Sequence, residues 1–431
     1  MRAADQGDDM RDEMTSQRRP IRRGARIAAL LALAGAVCGL AMLSASPALS
    51  QAASGDWAAV WGAPPEPPRD PPTVFNNQTV REVARLSIGA GRVRVRLTNE
   101  FGSHPVTITA AHIAVSGPGA SIVPATDRTL TFGGRPSVTI PNGASMLSDP
   151  VDIPVSPLAN VSVSLYFAGS SGESTGHFFG MQMAYVAGGN QTAARDMPNA
   201  SVLTERPFVA GIEAAVVKKT KVVVTLGDSL TDGYGSTAGA NRRWPDALAE
   251  RLNGRKGTQV AVVNAAISGN RLLHDFIGPN ALSRFDRDVL AQPGVTHVIV
   301  LLGLNDFGFP GARKLPDEEV SADDVINGYK QLIARAHAHG IKVVGATIPP
   351  FGPIPQRPGF YSDAAMAKRE AVNTWIRTSK AFDSVVDFDA VLRDPKAPNR
   401  LAPAYDSGDH LSPNDAGYKA MADAINLKIF D

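Results

Sequence analysis

Four short segments carry the residue types that acyl-transfer chemistry needs. Gly227-Asp228-Ser229-Leu230 puts a hydroxyl directly behind an apolar run. A serine there enters a helix, where unpaired amide hydrogens can meet an oxyanion; an ordinary helix N-cap is the other reading of the same residue. Ile267-Ser268-Gly269-Asn270 offers a backbone N–H with no side chain to crowd a substrate, and Gly303-Leu304-Asn305-Asp306 offers a carboxamide. Taken singly, each is a turn. Taken together, hydrogen-bond donors gathered around a serine are what a developing negative charge requires. The fourth segment, Asp409-His410-Leu411-Ser412-Pro413, brings an acid and an imidazole to the last loop, the remaining parts of a proton-relay triad.

These segments gain meaning from the elements that must carry them. Nearly continuous apolar runs at 221–226, 259–264, 297–302 and 341–345 read as buried strands, and helical patterns lie between them, including 244–253 and 320–339. Buried strands alternating with helices indicate an α/β domain with a mostly parallel sheet. The Ser229, Gly269 and Asn305 segments each follow such a strand. They therefore belong to the carboxyl edge of the sheet, where open α/β folds hold ligands. Upstream the pattern is different. Arg92-Val93-Arg94-Val95-Arg96-Leu97 alternates basic and apolar side chains as a half-buried strand does, and Val106-Thr107-Ile108 and Val163-Ser164-Leu165 repeat it. Short strands cut by Gly, Pro and Asn over 75–215 predict a β-sandwich, with the α/β domain at 216–431. Residues 51–74, with Pro-Pro-Glu-Pro-Pro at 64–68, predict an extended segment ahead of both.

The first 50 residues read as a signal peptide: arginines up to Arg26, an apolar run over 27–43, then small residues around the expected cleavage region. A membrane-spanning anchor is the alternative, but the alanine and glycine content favours cleavage, leaving no stable span and a secreted or periplasmic protein. The only cysteine, Cys38, lies inside that segment, so the exported chain has neither a disulfide nor a thiol nucleophile. Removing residues 1–50 leaves 36 basic and 36 acidic residues. That balance gives no attraction for a polyanion and argues against nucleic acid as a partner. The histidines have no metal-ligand spacing, and no cofactor is expected.

At this level of detail, residues 220–431 resemble the SGNH hydrolases, also called GDSL esterases/lipases. The resemblance implies a flavodoxin-like three-layer domain, here preceded by the β-sandwich, that hydrolyses carboxylic esters without a metal. It implies Ser229 as nucleophile, and Gly269 and Asn305 with the N–H of Ser229 as the oxyanion hole. The β region, from Phe75-Asn76-Asn77-Gln78 to Asn99-Glu100-Phe101-Gly102, is similar to the front domain of a secreted bacterial subgroup. The closing block departs from the family, whose pattern is an acid, two residues, then a histidine before proline. Here the acid is Asp409 and the residue before Pro413 is Ser412. A serine hydroxyl is no base for another serine. Two routes for the proton stay open: Asp409, directly or through a water, or His410 brought to Ser229 by a loop shift.

Other residues have readings of both kinds. His274 either lines the cleft or packs on a helix, and Trp57, Trp61, Phe178 and Phe179 either contact substrate or fill the core. The proline-rich loop at 349–355 is expected at the cleft rim. The function expected is a serine hydrolase acting on a small-molecule or polysaccharide ester. The alternative is a weakened esterase fold that binds esters or glycans without efficient turnover.

Overall fold

The computed structural model describes residues 56–216 and 219–431. The signal peptide expected over residues 1–50 lies outside the described residues. The parallel sheet is built from β1 (Lys221–Gly227), β2 (Val260–Asn264), β3 (Val295–Leu301), β4 (Lys342–Ala346) and β5 (Ser384–Val386), in the order β2-β1-β3-β4-β5. This is the flavodoxin-like order, and its switch point lies between β1 and β3. β1 is a near-continuous apolar run because both faces are covered: Val222, Val223, Val224 and Leu226 are all fully buried. The helices that cover it are α1 (Ser229–Asp232), α2 (Trp244–Asn253), α3 (Leu304–Arg313), α4 (Ala322–Ala338), α5 (Asp363–Thr378) and α6 (Asp415–Ala424). Helix α2 packs with α6, and α5 packs with α3 and α4, giving one helical layer on each side. The predicted strand runs and the two predicted helices match these elements to within a residue or two.

Two large antiparallel sheets and a two-stranded ladder of Val106–Ile108 with Val138–Ile140 precede this domain. One orders Asp56–Gly62, Val209–Val216, Ala90–Asn99 and Ala144–Leu147, with Val151–Val155 also on Ala90–Asn99. The other orders Ser201–Leu203, Ala184–Gly188, Gln78–Arg85, Asn160–Phe167, Ala110–Val115 and Arg128–Thr129. The alternation at 92–97 follows the pleat. Val93, Val95 and Leu97 are fully buried, while Arg94 and Arg96 on the other face both pair with the Glu213 carboxylate. The first sheet starts at Asp56, ahead of the proline run, so part of the segment expected to be only extended is a paired strand.

Residues 53–431 form one compact unit, with the β sheets bonded directly to the parallel sheet. The Ser87 hydroxyl donates to the Val60 carbonyl at 2.9 Å and accepts the Val262 N–H of β2 at 3.0 Å. Asn253, at the end of α2, donates to the Ser87 carbonyl at 2.6 Å. Among the described residues no helix is long and apolar enough to cross a membrane.

Candidate active site

β1 ends at Gly227, and Asp228 caps the four-residue helix that begins with Ser229: its carboxylate accepts the Leu230 N–H at 3.0 Å. Asp228 thus supports the turn into the helix. Burial pushes the Asp228 carboxyl up to about 7, and its second oxygen has no hydrogen-bond partner among the described residues. As the first residue of its helix, Ser229 has an N–H with no intrahelical acceptor.

After β2, Ile267 to Asn270 form a turn closed by the Asn270 N–H on the Ile267 carbonyl at 3.0 Å. Gly269 occupies it with φ +82°, and a β-carbon there would lie 2.6 Å from Ile277 Cδ1. Conformation and crowding both exclude a larger residue. After β3, Asn305 opens α3. One hydrogen of its carboxamide goes to the Asn270 carbonyl at 3.0 Å, which leaves the second for a ligand.

Ser229, Gly269 and Asn305 line one cleft of about 420 Å³, together with Phe179, Tyr234, Ser268 and residues of α3 and 356–360. The structure therefore brings the three predicted positions together. Of the expected rim loop, it is the residues just beyond 349–355, from Gln356 to Pro358, that border the cleft. Phe178 is buried, whereas Phe179 is exposed, has φ +61° and stands edge-on to Tyr234 at 5.8 Å. Trp57 and Trp61 pack against Arg94 and Arg206. His274 borders a separate surface groove with Leu282 and Asn327.

Two buried assemblies hold the loops in register, and neither was expected from the sequence. Arg284 donates to the Gly227 carbonyl at 3.2 Å, the Ala265 carbonyl at 2.7 Å and the Asn270 carboxamide at 2.9 Å, with Asp288 as its counter-ion. It fastens the Ser229 and Gly269 loops to each other. On the other side, Asp232 accepts from both the N–H and the hydroxyl of Ser268, at 3.1 and 2.7 Å. Its other oxygen faces His177 Nε2 at 3.0 Å, and His177 Nδ1 faces the Pro64 carbonyl at 3.1 Å and Glu66 at 3.3 Å. Burial opposes the His177 cation, but Asp232 and Glu66 outweigh it and the imidazole is held above its ordinary value. Both ring nitrogens meet acceptors, which is what an imidazolium needs. Burial pushes the Glu66 carboxyl up to about 7. A buried histidine in the β region thus bears on the residue next to Gly269.

The closing loop sits beside the segment that follows α1. A β-carbon on Gly235 would lie 2.9 Å from the Pro413 carbonyl and 3.0 Å from Ser407, and the Tyr418 hydroxyl donates to the Tyr234 carbonyl at 2.7 Å. Asp409 accepts the Ser412 N–H at 2.6 Å and the Ser412 hydroxyl at 2.8 Å, and Ser412 is buried. An Asp409–His410 pair does not form. His410 has φ +63°, is half exposed, and turns its Nδ1 to Asp406 at 2.7 Å. Asp406, four residues before His410, is thus the acid that orients this imidazole, whose Nε2 has no hydrogen-bond partner among the described residues.

Residues 223–425 match the family model described as GDSL-like Lipase/Acylhydrolase. Comparison with curated proteins gave no significant match. Among solved structures, the chain is similar to a GDSL-like lipase from Bacteroides thetaiotaomicron (22% identity over 50% of this chain and 91% of that one, TM-score 0.38). It is also similar to an aryl esterase from M. smegmatis (17% identity, 49% of this chain, 98% of that one, TM-score 0.39). A carbohydrate acetylesterase from Sinorhizobium meliloti gives a similar result (17%, 49%, 98%, TM-score 0.38). The matched stretch starts inside β1 and runs past the start of α6, so it takes in the Ser229, Gly269, Asn305 and Asp409 loops in order; residues 223–425 of this chain are a GDSL-like lipase/acylhydrolase domain.

Proposed function

We propose that the chain is an exported carboxylic-ester hydrolase that acts through Ser229 on a small-molecule or polysaccharide ester. The observation that carries this reading is the convergence of Ser229, Gly269 and Asn305 on one cleft, with their loops fastened by Arg284. In the proposed reaction the Ser229 hydroxyl attacks the ester carbonyl. Its oxygen takes the negative charge and is met by the N–H of Ser229, the N–H of Gly269 and the second carboxamide hydrogen of Asn305. The alcohol leaves with a proton, and a water then releases the acid from the acyl-serine.

Turnover by this route is slow, because Ser412 fills the place of the base and spends its hydroxyl on Asp409. The proton of Ser229 then goes to water, with Asp409 as the carboxylate of the closing loop. A second reading is favoured by one contact: Asp406 on Nδ1 leaves His410 Nε2 able to accept a proton. Comparing the wild type with Ser229→Ala separates the two. Members of a triad act as a unit, so removing the serine costs little where no base works and on the order of 10⁶-fold where one does. A large loss in both Ser229→Ala and His410→Ala supports the His410 route. A loss near one in both, with measurable hydrolysis only in Ser412→His, supports the weakened site. Failure of every variant to cleave acetyl and short acyl esters sinks the hydrolase reading.

A further inference from the structure

The wall of the cleft formed by α3 suggests which esters fit. Helix α3 carries Asn305, Phe309, Ala312 and Arg313 at spacings of four, seven and eight residues, and all four line the cleft. Such positions share one face of a helix. Read along that face, a carboxamide donor is followed by an apolar stretch and then by a guanidinium. Phe309 stacks edge-on to Phe360 at 5.7 Å, closing the apolar stretch on its far side. Arg357, from the loop before Phe360, lines the same cleft.

Neither Arg313 nor Arg357 has a carboxylate partner among the described residues, and no acidic residue lines the cleft. Neighbouring arginines behave differently: Arg271 holds Glu318, Arg287 holds Glu100 and Arg335 holds Asp286. Arg313 is also not loose, since its guanidinium lies over the Phe276 ring at 5.0 Å. Two unpaired guanidiniums beside an acid-free apolar channel make a site for a planar anion, which they can hold by paired hydrogen bonds.

We propose that the cleft selects esters bearing an anionic group, held by Arg313 and Arg357 toward the end of α3 farthest from Asn305. The segment between carbonyl and anion is apolar. The proposal rests on the reading of Asn305 as the mark of the ester carbonyl. The anion belongs either to the acyl chain or to the alcohol.

Binding to full-length Ser229→Ala, measured by titration calorimetry, tests this without needing turnover. Monomethyl suberate against dimethyl suberate probes an anion on the acyl side. An ω-acetoxyoctanoate against its methyl ester probes the alcohol side. In one arm the anionic member binds about tenfold tighter or better, as expected for a charge-assisted pair. That ratio falls toward one when Arg313→Gln and Arg357→Gln are added, and it shrinks with added salt. Equal affinities within both arms, or a ratio that the two substitutions leave intact, overturn the proposal. Hydrolysis of the same esters by the unsubstituted chain is followed in parallel. A binding preference without hydrolysis leaves the anion site standing and removes the hydrolase reading; hydrolysis without a preference does the reverse.

Discussion

Replacing Asp232 tests whether the buried His177–Asp232–Ser268 chain positions the oxyanion glycine. In Asp232→Ala, Ser268 loses the acceptor of two hydrogen bonds and His177 loses the carboxylate at 3.0 Å. Removing one partner of a buried ion pair costs about 3–5 kcal/mol of stability, less to the extent that His177 sheds its proton. The turn holding Gly269 is then free to rotate its N–H off the developing oxyanion. Loss of one such donor costs about 10²–10³ in kcat, which bounds the effect, with KM little changed. Asp232→Asn separates positioning from charge. Its carbonyl still accepts from Ser268, but its amide hydrogens meet His177 Nε2 only when that nitrogen is unprotonated. Activity in this variant therefore rises through a second ionisation, that of His177, in addition to the titration of the introduced base that the parent also shows. The assay is kcat and KM for a short acyl ester against pH, in the Ser412→His background so that rates are measurable. A folded Asp232→Ala with kcat within about threefold of its parent would refute the positioning role.

In the same background, Asn305→Ala lowers kcat by about 10²-fold and leaves KM within a few-fold, because its free carboxamide hydrogen is used chiefly in the transition state. A change confined to KM would place Asn305 in ground-state binding instead. Glu66, pushed up to about 7 from 4.5, binds its proton more tightly in the folded chain. The stability it adds is complete below pH 4.5 and is lost as pH rises to 7, on the order of 3 kcal/mol at ~1.4 kcal/mol per unit. Urea midpoints of the wild type relative to Glu66→Gln should fall across that window; a pH-independent difference would exclude Glu66 as a titrating group.

Much of this site could be read from local pattern. The four parallel-strand runs are apolar on both faces, so they stand out in the sequence, and they fix where Ser229, Gly269 and Asn305 must emerge. Helix α2 begins and ends where its apolar spacing does. The pieces that escaped reading are long-range polar contacts. His177 and Asp232 lie 55 residues apart, one in a loop of the β region and the other in α1, and a lone histidine in a glycine-rich stretch carries no periodic signal. Arg284 reads as a surface charge until three backbone and side-chain acceptors are seen around it. Asp406 was detectable: an acid four residues before a histidine is a short-range pair, but the family pattern drew attention to Asp409. The strand at Asp56–Gly62 was hidden by the prolines that follow it.

In the proposed function, the one part the Ser229 site lacks is an imidazole at residue 412. The most direct test of this claim is the ratio of kcat/KM for a short acyl ester in Ser412→His to that in the wild type. An imidazole at residue 412, oriented by Asp409, should raise the ratio by about 10²–10⁴, the usual worth of a general base, and the gain should vanish when Ser229→Ala is added. A folded Ser412→His no faster than the wild type, or a gain that persists without Ser229, would contradict the claim.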